Sequence, residues 1–291
     1  MANLRSGLKT LVRWTQTKQR SASLAERKDA KELFSAWAKR RTDLGQLVAA
    51  VRRDGVVAIS GYWPAQRCAQ ARAEIDRLVS AFPAAVQNHS GGADKRMYGV
   101  ESASDLLAQF HTDPFLQNFG ELICSLDLYN FATLGAHIVA GPHNRGSGDG
   151  WHRDAHGFQF KSILYLSDTT SENGPFEYLT GSHKDWRVGV DTALADLPGY
   201  PNTRFTNEQI EALSPAIGGR RKSFPADAGT LLLVNTSGIH RGQPLTGGTR
   251  YALTNYYYHR CDIDEARLQQ FSPMIPGTAE RIRRDLLENP Q

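Results

Sequence analysis

Residues 151–166 read WHRDAHGFQFKSILYL and join a polar His-x-Asp pair to an apolar run. A glycine-rich loop at residues 146–150 precedes His152 and Asp154. The short aromatic and aliphatic run at residues 158–166 predicts a β-strand. Because residues two apart on an extended chain point to the same side, this imidazole and this carboxylate can bind one metal ion.

More strand-like segments follow the same pattern from Tyr129 onward, separated by turns rich in Gly, Pro, Asn and Asp. Such close spacing is typical of a sandwich or a barrel. The predicted strands are residues 131–139, 158–166, 176–179, 229–234 and 250–258. The predicted class is therefore α+β, with a β-barrel core at about residues 129–260 and helices before and after it.

The remaining elements are predicted from apolar periodicity and capping signals. Residues 83–97 lack periodicity and are expected to form a long loop that acts as a lid over the cavity. Thr206 and Gln209 have the spacing of a capping box. A strand is predicted at residues 55–60, and helices are predicted from Pro64 onward and at residues 104–124 (interrupted near Asp113-Pro114), 206–213, 262–270 and 278–288.

The net charge of +4 over 291 residues is unevenly distributed. Residues 1–45 carry eleven basic and four acidic residues, whereas residues 46–291 are net negative. Leu4, Leu8 and Leu11 form one apolar face, which predicts a short basic amphipathic helix. We expect a basic helical segment at residues 1–45 and one domain at residues 46–291.

Three roles are open for this basic segment: a helix docked on the domain, a membrane-surface anchor, or a transit peptide at residues 1–25. The expected location is the cytoplasm, with peripheral membrane contact as one possibility and the mitochondrion as the alternative. No aromatic–basic module accompanies the charge, so we expect no nucleic-acid partner.

Several protein classes are excluded by composition. A hydrophobic content of 40% excludes a disordered chain, and no apolar run reaches the roughly 18 residues of a membrane span. The cysteines, Cys68, Cys124 and Cys261, are odd in number and far apart. They are expected to be free thiols in a reducing compartment.

The His-x-Asp pattern occurs three times, and context separates the copies. His111 lies in a predicted helix, where residues two apart diverge. His183 lies in a turn between elements. His152 follows the glycine-rich loop and precedes a strand, so we take His152 and Asp154 as the metal pair.

A third ligand is predicted at His240, which follows the strand at residues 229–234 by a short turn. Two histidines and one carboxylate form the facial triad of non-heme Fe(II) oxygenases. Arg250 begins the next strand, and its planar guanidinium suits a carboxylate ligand.

Together these motifs resemble the phytanoyl-CoA dioxygenase family. The matching segments are WHRD at residues 151–154, ENGPF at residues 172–176 and TGSHK at residues 180–184, followed by His240 and Arg250. The resemblance covers roughly residues 50–260. It implies a double-stranded β-helix (jelly-roll, cupin-like) fold that uses Fe(II), 2-oxoglutarate and O2.

The same resemblance implies residue roles. Fe(II) would be held by His152, Asp154 and His240, and Arg250 would bind the distal carboxylate of 2-oxoglutarate. Family members often carry a hydroxyl residue two positions after the distal histidine, where this chain has Gly242. A second contact to 2-oxoglutarate must then come from elsewhere. The candidates for it are Lys161 and Tyr165, with His137 a weaker one.

The implied activity is hydroxylation of an unactivated C–H bond in a small metabolite, yielding succinate and CO2. Related halogenases replace the carboxylate ligand with a small residue, so the presence of Asp154 favours hydroxylation. Five cations are expected near the mouth and would suit an anionic substrate: Lys95, Arg96, Arg153, Lys184 and Arg241.

Two other functions are compatible with these motifs. One is a catalytically inactive jelly-roll scaffold held at a membrane surface. The other is a cupin-like isomerase or hydrolase that uses a different metal and needs neither O2 nor 2-oxoglutarate.

Overall fold

A computed structural model describes residues 43–124, 127–195, 203–216 and 221–288. The strands in chain order are β1 (Val56–Ile59), β2 (Gln87–His89), β3 (Asp94–Tyr98), β4 (Leu128–Val139), β5 (Phe160–Tyr165), β6 (Phe176–Leu179), β7 (Arg221–Phe224), β8 (Leu231–Asn235), β9 (His240–Gly242) and β10 (Thr249–His259). The α-helices are α1 (Leu44–Asp54), α2 (Ala65–Ala81), α3 (Asp105–His111), α4 (Pro114–Cys124), α5 (Asp185–Leu194), α6 (Asn207–Ala216), α7 (Glu265–Gln270) and α8 (Thr278–Glu288).

The strands form two antiparallel sheets. The larger has the order β1-β8-β5-β10-β4-β3-β2, and the smaller has the order β7-β6-β9. The long strands β4 and β10 pair along their whole length, from Thr249 opposite Val139 to His259 opposite Leu128. These two strands form the longest paired segment of the large sheet.

The two faces of β10 contact different parts of the protein, because successive side chains of a strand point in opposite directions. Tyr251 and Leu253 pack into the apolar core beneath helices α1 to α4. Arg250, Ala252 and Thr254 point the other way and line an internal cavity. One face of the large sheet thus packs against the helices, and the other face lines the cavity.

Most predicted elements are present with boundaries shifted by a few residues. The predicted helix at residues 104–124 is two helices, α3 and α4, which separate near Asp113. The capping box is confirmed: Thr206 N donates to Gln209 Oε1 at 2.7 Å, and Gln209 N donates to Thr206 Oγ1 at 3.2 Å. The α+β prediction is confirmed.

The predicted loop at residues 83–97 is wrong. Most of it, from residue 87 onward, is the hairpin β2–β3, which extends the large sheet through pairing of β3 with β4. The strand was missed because its first residues, Asp94 and Lys95, have low strand propensity. The backbone pairing offered by the long β4 outweighs that preference, since it satisfies the hydrogen-bonding groups of β3.

Four further elements were not predicted. Helix α1 precedes β1, helix α5 follows the TGSHK turn, and strands β7 and β9 complete the small sheet. Strand β9 has only three residues, which is too short for a periodic pattern to be visible.

The proposed segment at residues 1–45 lies almost entirely outside the described residues, so its helix, its role and the domain boundary stay predictions. In the part of the chain that the structure describes, no helix is both long enough and apolar enough to cross a bilayer.

Candidate metal centre and cavity

The centre is built on a backbone pairing between His152 and His240. Each residue donates its N–H to the carbonyl of the other, and both distances are 2.9 Å. Residues that exchange two such bonds lie directly opposite each other in an antiparallel pair, with their side chains on the same side. The two imidazole rings consequently lie 4.4 Å apart between centroids.

Asp154 completes the group from the same side. Its backbone N–H donates to the carbonyl of Thr236 at 3.0 Å, which keeps the chain extended beyond His152. Its carboxylate lies between the rings, with Oδ1 3.6 Å from His152 Nε2 and Oδ2 3.5 Å from His240 Nε2. One ligand atom from each of the three residues lies within 4.8 Å of the others.

The histidine tautomers are set by hydrogen bonds to backbone carbonyls. His152 Nδ1 lies 2.8 Å from the carbonyl of Gly150, and His240 Nδ1 lies 2.9 Å from that of Gly238. A carbonyl only accepts, so both Nδ1 atoms carry a proton, and Nε2 is the nitrogen of each ring that is left for a metal ion. This arrangement is typical of metal-binding histidines, and the donor set fits Fe(II).

The electrostatics also prepare the group for a cation. Burial lowers the pKa of His240 to about 3, so its imidazole is neutral at physiological pH. Burial alone would raise the pKa of Asp154, but the adjacent ammonium of Lys161 opposes it, and that pKa lies well below its usual range. The centre therefore offers the neutral imidazole of His240 and the carboxylate of Asp154 beside the ring of His152.

The glycine-rich loop packs directly on the ring of His152. A Cβ atom at Gly148 would overlap His152 Cε1, and the φ angle of Gly148 is +87°. Both features require glycine. The loop thus fixes the position of the ring.

These residues face a cavity of about 1060 Å³ between the two sheets. Its wall includes the metal group together with Arg96, Lys161, Tyr165 and Arg250. The volume is at the upper end of the range for sites that bind drug-sized ligands. It leaves room for a substrate beside a small co-substrate.

Arg250 is a buried cation that has no counter-ion among the described residues. Only 4% of its surface is exposed, and among the described residues no carboxylate lies within ion-pair distance of its guanidinium. A buried charge without a counter-ion is costly unless a ligand supplies one. The guanidinium therefore fits an anionic ligand in the cavity.

Lys161 lies close to the metal group. Its Nζ is 2.8 Å from Asp154 Oδ2 and 4.0 Å from the ring centroid of Tyr256. It is placed to contact a molecule bound next to the metal.

Two of the predicted co-substrate contacts do not have the expected geometry. The Tyr165 hydroxyl donates its single proton to the carbonyl of Phe224 at 3.1 Å and accepts from Phe176 N at 2.9 Å. It is a wall residue without a proton to donate to a ligand. His137 lies on the face of β4 that is turned away from the cavity, and its ring stacks on that of Tyr251 with 4.1 Å between the centroids. It does not line the cavity.

The predicted cationic mouth is wrong for four of its five residues. Lys95 points to the opposite face of β3 from Arg96, and only Arg96 lines the main cavity. Lys184 borders a separate pocket beside α5. Arg241 points away from His240 and pairs with Glu177 at 2.6 Å.

Arg153, the fifth cation, is structural. Its guanidinium is fully buried, donates to the carbonyls of Ser182 and Ser237, and pairs with Asp191 at 2.6 Å. The same carboxylate accepts from Arg187 Nε at 2.8 Å. Because Arg153 lies between His152 and Asp154, this buried cluster holds the segment that carries both.

Two further cations lie on the cavity wall that the sequence did not indicate. Arg204 and Arg267 both line the cavity, and Arg267 lies over the ring of Tyr258 at 4.6 Å. Their sequence context gives no signal, because each reaches the cavity from a segment that tertiary packing brings to the rim.

The other two His-x-Asp pairs have structural roles. His183 Nε2 lies 3.1 Å from the carbonyl of Arg52. His111 Nδ1 lies 3.0 Å from Thr133 Oγ1, behind the large sheet. Neither pair joins a group of potential metal ligands among the described residues.

Buried His111 should make the metal-free protein sensitive to acid. Burial lowers its pKa to about 3, and the nearby guanidinium of Arg281 acts in the same direction. The unfolded chain binds a proton below a pH of about 6.5 and the folded chain does not, so stability is lost as the pH falls through this window. Between pH 7 and pH 5 the loss in unfolding free energy linked to His111 amounts to about 2 kcal/mol.

The substitution His111→Gln isolates this contribution. Urea unfolding of both proteins should show that their difference in unfolding free energy is about 2 kcal/mol smaller at pH 5 than at pH 7. A difference that does not change with pH would show that His111 titrates normally.

Comparison with known proteins is consistent with this geometry. The family model described as Phytanoyl-CoA dioxygenase (PhyH) matches residues 51–252. No curated protein matches the chain.

Solved structures show the same fold at low sequence identity. The epimerase SnoN from nogalamycin biosynthesis, solved with Fe3+, alpha ketoglutarate and nogalamycin RO, is 19% identical with a TM-score of 0.57, over 75% of this chain and 84% of that one. EctD from S. alaskensis with bound Fe is 15% identical with a TM-score of 0.57, over 74% and 76%. HygX from Streptomyces hygroscopicus with nickel and 2-oxoglutarate is 17% identical with a TM-score of 0.50, over 74% and 86%. The predicted jelly roll is confirmed.

Proposed function

Because this chain belongs to the phytanoyl-CoA dioxygenase (PhyH) family, we propose that it hydroxylates an unactivated C–H bond of a small organic anion. It is a non-heme iron, 2-oxoglutarate-dependent oxygenase. The observation that carries the proposal is the convergence of two histidine Nε2 atoms and one carboxylate on a cavity that also contains the guanidinium of Arg250, which has no carboxylate partner among the described residues.

The metal ligands in this proposal are His152, Asp154 and His240. The carbonyls of Gly150 and Gly238 hold the rings with Nε2 directed at the metal position. Fe(II) and 2-oxoglutarate, when bound, supply chemistry that couples decarboxylation of 2-oxoglutarate to succinate and CO2 with transfer of one oxygen atom of O2 to a C–H bond.

Arg250 would bind the distal carboxylate of 2-oxoglutarate. Its Nη2 lies beside Gly242, which is two residues beyond His240 on the same face of β9. Two strand residues span about 7 Å, so the guanidinium lies a short distance along the wall from the metal ligand. Lys161, at the metal itself, would contact the bound co-substrate or the substrate.

An anionic substrate is supported by the charge of the wall. Five cations line the cavity against three acids, one of which is the proposed ligand Asp154. After Arg250 is assigned to 2-oxoglutarate, Arg96, Arg204 and Arg267 remain on the wall, and of these Arg96 is already paired with Asp94. The positive charge of this wall would attract a second anion. Family membership and the complete His-Asp-His group count against an inactive scaffold.

A screen with matched pairs of organic acids and their neutral amides tests the substrate class. With Fe(II), 2-oxoglutarate and air, an acid that fits should stimulate succinate formation above the uncoupled rate and gain the mass of one oxygen atom. Its amide should do neither, because it lacks the charge that the wall cations attract.

Other outcomes of the same screen would contradict parts of the proposal. Stimulation by amides alone would exclude an anionic substrate. A product without added oxygen would exclude hydroxylation. Turnover under nitrogen without 2-oxoglutarate would favour the isomerase or hydrolase alternative.

A further inference from the structure

Ser147 and Arg250 meet at one point on the cavity wall. A Cβ atom built on Gly242 would lie 2.7 Å from Ser147 Cβ and 2.7 Å from Arg250 Nη2. Both side chains therefore border the space that a side chain at position 242 would fill. Gly242 is the residue that leaves this space to them.

Ser147 lines the cavity with an uncommitted hydroxyl. The structure gives its Oγ no hydrogen-bond partner among the described residues, and its neighbour Arg250 has no carboxylate partner among them either. A hydroxyl and a guanidinium side by side, both facing the same space, are the groups that bind a carboxylate: each can donate to one of its oxygens.

The backbone holds Ser147 firmly at this place. Gly242 N donates to the carbonyl of Ser147 at 2.9 Å, which ties the glycine-rich loop to β9. The buried side chain of Asn144 accepts from Gly146 N at 2.8 Å and donates to the carbonyl of Val139 at 2.7 Å. The serine is thus presented by a fixed loop.

We infer that Ser147 is the second residue that binds the distal carboxylate of 2-oxoglutarate, donating its hydroxyl proton to one carboxylate oxygen while Arg250 donates to the carboxylate. This inference rests on the proposed role of Arg250. It also assigns a function to the glycine-rich loop, which packs on His152 through Gly148 and contacts the co-substrate through Ser147.

Titration of the Fe(II)-loaded protein with 2-oxoglutarate under anaerobic conditions tests the inference without turnover. The dissociation constant, read from the visible absorption of the chelate or by calorimetry, should rise about tenfold or more for Ser147→Ala, the factor expected for a lost hydrogen bond to a charged group. Ser90→Ala removes the other serine hydroxyl on the cavity wall and should leave the constant unchanged.

The co-substrate itself provides a second control. The analogue 2-oxopentanoate keeps the 2-oxo acid but lacks the distal carboxylate, so its affinity should be the same for the native protein and Ser147→Ala. Equal weakening for both ligands would mean that the substitution disturbs the metal centre, and would overturn the inference.

Moving the hydroxyl across the gap gives a matched comparison. In a Ser147→Gly background, Gly242→Ser restores a hydroxyl from the opposite side, whereas Gly242→Ala restores only the Cβ atom. The serine double variant should bind 2-oxoglutarate about tenfold more tightly than the alanine one. Equal affinities would contradict the inference.

The variant Arg250→Met distinguishes the proposed role of Arg250 from the inferred role of Ser147. If it weakens 2-oxoglutarate binding and Ser147→Ala does not, the inference is wrong and the role of Arg250 stands. If Arg250→Met leaves 2-oxoglutarate affinity unchanged, the co-substrate lies elsewhere and both are wrong.

Discussion

Replacing Asp154 by alanine should lower the affinity for Fe(II) by a hundredfold or more and abolish succinate formation. Even a residue that only supports a metal ligand typically contributes about 10- to 100-fold to affinity, so a ligand itself contributes at least the upper end. The variant also leaves Lys161, now 2.8 Å from the carboxylate, as an uncompensated positive charge beside two imidazoles. That charge repels the incoming cation.

Anaerobic Fe(II) titration measures this effect, and Asp185→Ala is its control. Asp185 belongs to the same three-residue pattern as Asp154, but its partner His183 is bonded to the backbone of α1. Metal affinity should be unchanged in this control. Retention of native affinity by Asp154→Ala would show that the carboxylate is not a ligand.

Replacing Asp191 by alanine should lower the free energy of unfolding by about 3–5 kcal/mol, the usual result of removing one partner from a buried ion pair. Its carboxylate accepts from two guanidinium groups, Arg153 Nη2 at 2.6 Å and Arg187 Nε at 2.8 Å. Neither Asp191 nor Arg153 exposes any side-chain surface. The variant buries positive charge without a counter-ion.

Urea unfolding of the metal-free protein measures this loss, with Glu265→Ala as the control. Glu265 pairs with Arg283 at the same distance of 2.8 Å, but both side chains are largely exposed. Its removal should change stability little, because solvent screens such pairs. A loss below about 1 kcal/mol for Asp191→Ala would mean that the buried cluster is dispensable.

Local sequence patterns predicted most of the sheet because its central strands are rich in aromatic and β-branched residues. β4, β5, β8 and β10 were recognisable in this way, as was the capping box before α6. The hairpin β2–β3 was not, since its polar residues become a strand only by pairing with β4.

The site shows the same division. His152 and Asp154 were recognisable because their spacing on an extended chain determines their common direction, and the structure brings them to His240. The role of the cations was not recognisable from sequence. Arg153 is buried beneath the site and Arg241 faces away from it, whereas Arg204 and Arg267 reach the wall.

The sequence by itself determined what depends on neighbours along the chain: the strands of the barrel, the cap of α6 and the paired direction of His152 and Asp154. The tertiary structure decided what depends on strand pairing and on close approach in space. It set which face of a strand is turned to the cavity, and thereby which of several identical cations meets a ligand. It also placed Ser147 in the space left by Gly242, a contact between distant segments that no local pattern encodes.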